Sequence, residues 1–171
     1  MGKITPIVVP DHTEKISVPA IGKKDVWVTP GVVDVDAAYL YSNGQCAALA
    51  IALSRKLSAP LRLVAYRFHA NDNEAIIDED EQFKDDVPFE WITESSYHAV
   101  VEVGPDQFLD ISGVTDKVSL LRRCFMHAHE GALTTTSEAQ LMSIFDSPKQ
   151  DIATAELFVD AVLEKHLSVF A

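Results

Sequence analysis

From residue 45 to residue 57, Cys46, Leu49, Ala50, Leu53 and Leu57 recur at the three- and four-residue spacing of one helix face. Arg55 and Lys56 sit where a helix C-terminus favours cations, and Pro60 stands just beyond, so the pattern predicts a helix over 45–57. Ser42 followed by Gln45 matches a capping box and Gly44 relaxes the intervening turn, which places Cys46 in the first helical turn. The period then changes to two. Over 61–68, Leu61, Leu63 and Ala65 alternate with Arg62, Val64 and Tyr66, predicting a strand. Two further strands are predicted over 98–103 and 107–111, and Gly104-Pro105-Asp106 supplies the turn chemistry that joins them as a hairpin.

The flanks are less regular. Short β-rich runs over 4–9 and 25–29 are punctuated by Pro6, Pro10, Pro19 and Pro30, which predicts an irregular arm over residues 1–40. Towards the C-terminus, Ser137 with Gln140 precedes Leu141, Met142, Ile144 and Phe145. Ser147-Pro148 with Gln150 precedes a stripe of Leu157, Phe158, Ala161, Val162 and Lys165. Each predicts a helix that packs rather than catalyses. The order of helix, strands, then helices indicates an α+β domain in which the Cys46 helix packs on an antiparallel sheet. With no internal repeat or compositional break, residues 1–171 read as one domain: an arm (1–40), a core (41–113) and a helical C-terminal part (114–171).

Composition narrows the function classes. With 47% hydrophobic and 23% charged residues, the 171-residue chain can bury a sizeable core. A net charge of −12 disfavours nucleic acid, whose phosphates are bound by basic side chains that displace counterions. The acid concentrates between Asp72 and Glu90, with Lys84 as its one cation. The simplest reading is a solvated loop, with capture of a basic partner as the rival. Asp78-Glu79-Asp80-Glu81 lacks the glycine and terminal glutamate of a calcium-binding loop. The run Ile7-Val8-Val9, broken by Pro10, is too short for a signal segment or a membrane span, so a cytoplasmic protein that does not engage membranes is expected. Two cysteines cannot form a disulfide framework; a free thiol at Cys46 is the simpler reading and a single Cys46–Cys124 bridge the alternative.

Candidate chemistry centres on Cys46, His98 and Asp110. Exposed amides and the dipole at a helix start favour an anionic sulfur. An imidazole can take and return a proton, and a carboxylate can orient the imidazole and stabilise its cation. If residues 104–106 form a three-residue loop, Val103 opposes Gln107. His98 and Asp110 then share a sheet face as diagonal neighbours, about 7–8 Å apart at the backbone. A two-residue loop puts them on opposite faces. A lone cysteine on an apolar helix face is more often a small core residue than a nucleophile. A carboxylate between Leu109 and Ile111 is harder to dismiss, because it is costly unless hydrogen-bonded. The Cys46 amide is a natural oxyanion donor, and Gln45, Asn43 and Tyr41 are candidates for a second donor or for substrate binding. The spacing Cys124-x-x-His127-x-His129 lacks a fourth ligand, so no metal site is expected and the chemistry requires no cofactor. His69 could line a cleft, and His12 and His166 have no assigned role.

The segment around Cys46, and the run from His98-Ala-Val-Val-Glu-Val to Phe108-Leu109-Asp110-Ile111-Ser112-Gly113, resemble the papain-like cysteine superfamily, especially its transglutaminase-like branch. The resemblance spans residues 41–113. It implies a helix-borne cysteine followed by a histidine and an aspartate on neighbouring strands. It also implies acyl chemistry through a thioester, by a protease, deamidase or transglutaminase-like enzyme. Its substrate would be a protein or peptide, a basic one if the acidic segment attracts it. Two departures stand out: Ala47 follows the cysteine where an aromatic is usual, and Leu40 replaces the glutamine that papain-type proteases place six residues upstream of it. The class-level alternative is an inactive relative, or an acidic interaction protein that binds a basic partner.

Overall fold

Asp34 launches the first helix: its carboxylate accepts the amides of Asp36 and Ala37 at 3.1 and 3.0 Å, giving α1 (Val35–Ser42). The computed structural model describes residues 14–22, 24–66, 96–125 and 131–167. Ahead of α1, β1 (Ile16–Pro19) and β2 (Asp25–Val28) pair antiparallel, with Val18 opposite Val26. The predicted irregular arm is therefore a hairpin and a helix over these residues, because Val18, Val28, Ala37 and Leu40 give it an apolar side that enters the core. The expected boundary at residue 41 falls inside α1. The run over 4–9 lies outside the described residues.

α2 (Cys46–Leu57) follows, then β3 (Leu61–Tyr66), β4 (Ser96–Gly104), β5 (Gln107–Asp110) and β6 (Gly113–Thr115). After these come α3 (Lys117–Cys124), β7 (Gly131–Thr135), α4 (Glu138–Ile144), α5 (Ile152–Glu156) and α6 (Val159–His166). Among the described residues this is an α+β fold with six helices, the two-stranded hairpin and a five-stranded antiparallel sheet of order β6-β5-β4-β3-β7. The expected helical part 114–171 thus also supplies strands, and β7 returns to pair with β3, Val64 facing Leu133.

Strand alternation sorts the sheet into two apolar faces. Leu61, Leu63, Ala65, Ala99, Val101 and Leu109 join the core that contains α2. Val64, Val100, Phe108 and Leu133 pack instead with Leu120 and Leu121 of α3. α2 was expected to be amphipathic, yet every residue from Cys46 to Leu53 is buried. The sheet covers one side and α1, α4, α5 and α6 the others. Its alanines leave room for that many neighbours, and each fully buried leucine adds about 2 kcal/mol relative to exposure.

Of the two helices expected towards the C-terminus, the second and longer one divides into α5 and α6. Ser137 accepts the amide of Gln140 and starts α4 as predicted. Asp151, rather than Ser147, caps α5 by accepting the amide of Thr154 at 3.0 Å. Leu157 falls in the break between α5 and α6 and is exposed, whereas Phe158 and Val162 are buried.

Candidate active site

The β4–β5 connection decides whether His98 and Asp110 can meet. Gly104 pairs with Gln107, so the turn is the two-residue Pro105-Asp106, with Asp106 at φ 50°. That turn alone would separate the two side chains. A register shift between Glu102 and Gly104 restores the parity, setting Glu102 opposite Phe108 and Val101 opposite Leu109. The extra residue, Val103, is a bulge that does what a three-residue loop would have done. A second shift, where Val64 faces His98 but Ala65 faces Ser96, lies directly beside His98. His98 Nε2 and Asp110 Oδ2 are 2.7 Å apart.

Cys46 reaches this pair from the other layer, at the first position of α2. The expected capping box is absent: Ser42 ends α1, and Gln45 makes no side-chain cap. Gln150 takes over from the far end of the chain. Its Oε1 accepts the amide of Ala48 at 3.0 Å, and its Nε2 donates to the Gly44 carbonyl at 2.6 Å. The amides of Cys46 and Ala47 lie ahead of any intrahelical acceptor, as at every helix start. Both cysteines are free thiols, so the bridge alternative is not formed.

The electrostatics tie the three groups together. Burial opposes a charged ring at His98, but hydrogen bonds to Asp110 and Cys46 and the negative charge of both outweigh it, pushing the pKa up to about 9. Burial likewise opposes ionisation of Asp110, yet the His98 hydrogen bond, the charges of His98 and Arg123 and the Ser112 amide hold its carboxyl below the ordinary range. Ser112 donates its amide to Oδ1 at 2.8 Å, and Arg123, in the last turn of α3, donates Nη2 to Oδ2. With Nε2 engaged by Asp110, Nδ1 is the ring nitrogen left for the sulfur.

A cavity of about 370 Å³ opens here, lined by Ser42, His98, Asp110, Ser112, Arg123 and Cys124. A larger one, about 780 Å³, lies at the other end of β4 around Pro60, Glu102 and Gln107 and holds none of the candidate residues. Chemistry, not volume, selects the smaller.

None of the three candidate second donors lines the smaller cavity. Gln45 is fully buried, with Nε2 donating to the carbonyls of Pro19 and Lys149, both at 2.8 Å, and Oε1 accepting from the Asp151 amide. It ties the hairpin to the C-terminal segment and has no hydrogen to offer an oxyanion. Asn43 donates to the Tyr39 carbonyl at 2.9 Å. Tyr41 packs edge-on against Phe158, 5.3 Å between ring centres, and burial together with nearby Asp151 pushes its phenol pKa up.

Arg123, Ser112 and Gln150 were not read as site residues from sequence. The Asp116-x-x-Ser119 cap, in which Asp116 accepts the Ser119 amide at 2.8 Å, was the signal that could have placed Arg123 on a helix beside the site. His69, His127, His129, His12 and the acidic segment 72–90 lie outside the described residues. Among the described residues no group of three or more His, Cys, Asp or Glu side chains could hold a metal, and no helix is long and apolar enough to cross a membrane. His166 contacts the Ile111 carbonyl at 3.2 Å, tying α6 to the end of β5. Comparison with known protein families, curated proteins and solved structures gives no match to this chain.

Proposed function

We propose that this chain is a cysteine hydrolase or acyltransferase that acts on an amide or thioester through Cys46, His98 and Asp110, in the manner of the transglutaminase-like branch of the papain-like superfamily. One observation carries the reading: the buried His98–Asp110 pair at 2.7 Å, with Cys46 acting on the same ring from a helix start. The Cys46 sulfur attacks the acyl carbon while His98 holds the thiol proton. The carbonyl π pair moves onto oxygen, where the Cys46 amide offers a hydrogen bond. Collapse breaks the bond to the leaving amine or thiol, which takes the proton from His98, and leaves a thioester on Cys46. Water or an amine then gives its proton to His98 as it attacks that carbon, and the sulfur departs. Asp110 orients the ring and stabilises its cation throughout. The chemistry needs no cofactor, and peptide bonds and glutamine side-chain amides are the leading substrates.

The rival is a catalytically silent relative, favoured by the low exposure of Cys46, 5%. Iodoacetamide labelling of the native chain, read by peptide mass spectrometry across pH, tests the choice. Fast labelling of Cys46 near neutral pH, slowed by His98→Ala, supports the enzyme. A Cys46 that stays inert until unfolding overturns it.

A further inference from the structure

Resting on that reading, we infer that Arg123 is a specificity-determining residue, and that the cavity walled by His98, the ring hydrogen-bonded to Cys46, takes an acyl substrate bearing a carboxylate near its reacting carbonyl.

Asp110 is already held by the His98 ring and the Ser112 amide before Arg123 adds a third hydrogen bond. A guanidinium carries five N–H donors, and among the described residues Asp110 is the one acceptor bonded to that of Arg123. The rest of the side chain, 40% exposed, lines the cavity with the hydroxyl-bearing Ser42 and Ser112.

Among the described lining residues His98 and Arg123 are two cations and Asp110 is the single carboxylate, while burial raises the Cys124 thiol to about 11 and leaves it neutral. The negative charge on Cys46 balances His98, so it is the directed N–H groups of Arg123, not a net positive charge, that favour a carboxylate there. A planar guanidinium with N–H groups unbonded among the described residues is suited to bidentate carboxylate recognition. Across the whole chain the net charge is −12, so an anionic substrate is repelled at a distance unless a local cation offsets the field. A basic partner drawn by that outer charge is a separate effect, screened over about 8–10 Å by salt. Within the cavity, the nearer group is the guanidinium.

Iodoacetate and iodoacetamide test this on the full chain. Each alkylates sulfur identically, the S–C bond forming as iodide leaves and the thiol proton remaining with His98; they differ in presenting a carboxylate or a neutral amide. Arg123→Gln lowers the iodoacetate-to-iodoacetamide rate ratio at Cys46 about fivefold, as expected for removing one nearby charge, and Arg123→Lys keeps it within about twofold. An unchanged ratio, or equal loss of both rates, overturns the inference and leaves the enzyme reading standing. A wild-type Cys46 inert to both reagents overturns both. Should Arg123→Gln fail to fold, protection of the wild-type chain decides. Glutarate slows iodoacetamide labelling more than glutaramide does if the subsite exists, and equal or absent protection overturns it.

Discussion

The Gln150 side chain caps the helix that carries Cys46, accepting the Ala48 amide at 3.0 Å from 102 positions away in the chain. The same amide group donates to the carbonyl of Gly44, so one buried side chain serves both sides of the helix start. Replacing it with leucine leaves a donor and an acceptor unsatisfied, each worth about 1–3 kcal/mol when buried. Gln150→Leu should lower stability by about 3 kcal/mol, seen as a fall in the urea midpoint at unchanged slope. Under native conditions the labelling of Cys46 should slow, because the first turn loses its anchor. An unchanged midpoint would show the cap to be dispensable.

Gly44 sets the entry into that helix. Its φ of +124° is one that side chains rarely adopt, and a β-carbon there would stand 2.8 Å from the Ile21 nitrogen and 3.0 Å from Pro148 Cγ. Gly44→Ala should cost about 2–4 kcal/mol from backbone strain and contact together. Thermal melting checks it. A loss under 1 kcal/mol, the ordinary effect of a tolerated surface change, would mean that the hairpin and the loop before α5 yield readily.

His98 offers a direct spectroscopic test. Its ring should titrate near pH 9 in the native chain, followed by NMR of the imidazole protons. Cys46→Ala removes a hydrogen bond and a charge that favour the cation, so the pKa should fall towards the ordinary 6.5. The folded pKa lies above the unfolded one. The stability that His98 contributes is therefore fully present below about pH 6.5 and lost as pH rises through about 9. A ring titrating at 6.5 in both proteins would remove the Cys46–His98 coupling.

How far the sequence reached depends on whether a pattern was local. The α2 period, the β3 alternation and the Ser137 cap are short-range signals, and each marks a real element. The parity that unites His98 and Asp110 was legible only as a condition on loop length. The chain meets it with a bulge at Val103, a device that no residue there announces. Gln45 shows the opposite failure. Its place beside Ser42 suggested a capping box, but partners at Pro19, Lys149 and Asp151, remote in sequence, claim its amide. Arg123 was hidden for the same reason, since its link to Asp110 joins α3 to β5 through the tertiary fold. β6 and β7 went unread because β6 has three residues, too few to establish a period, and β7, Gly-Ala-Leu-Thr-Thr, does not alternate apolar with polar residues.

Asp110→Asn tests the centre of the arrangement. The substitution keeps the shape but removes the charge that both His98 and Arg123 face, and an amide at Oδ2 would turn donors towards donors. Since Asp110 helps hold His98 protonated, the pKa of the ring should drop, and Cys46 labelling at pH 7 should slow on the order of tenfold through the wrong tautomer and orientation. The acid limb of stability should change as well. The folded pKa of Asp110 lies below its unfolded value, so its contribution is present above the ordinary carboxylate range and is lost as pH falls through the lowered value. Wild-type unfolding free energy should therefore decline more steeply on acidification than that of Asp110→Asn, the two curves converging at low pH. Parallel curves, with labelling unchanged at pH 7, would show that the carboxylate neither couples to folding nor serves the sulfur.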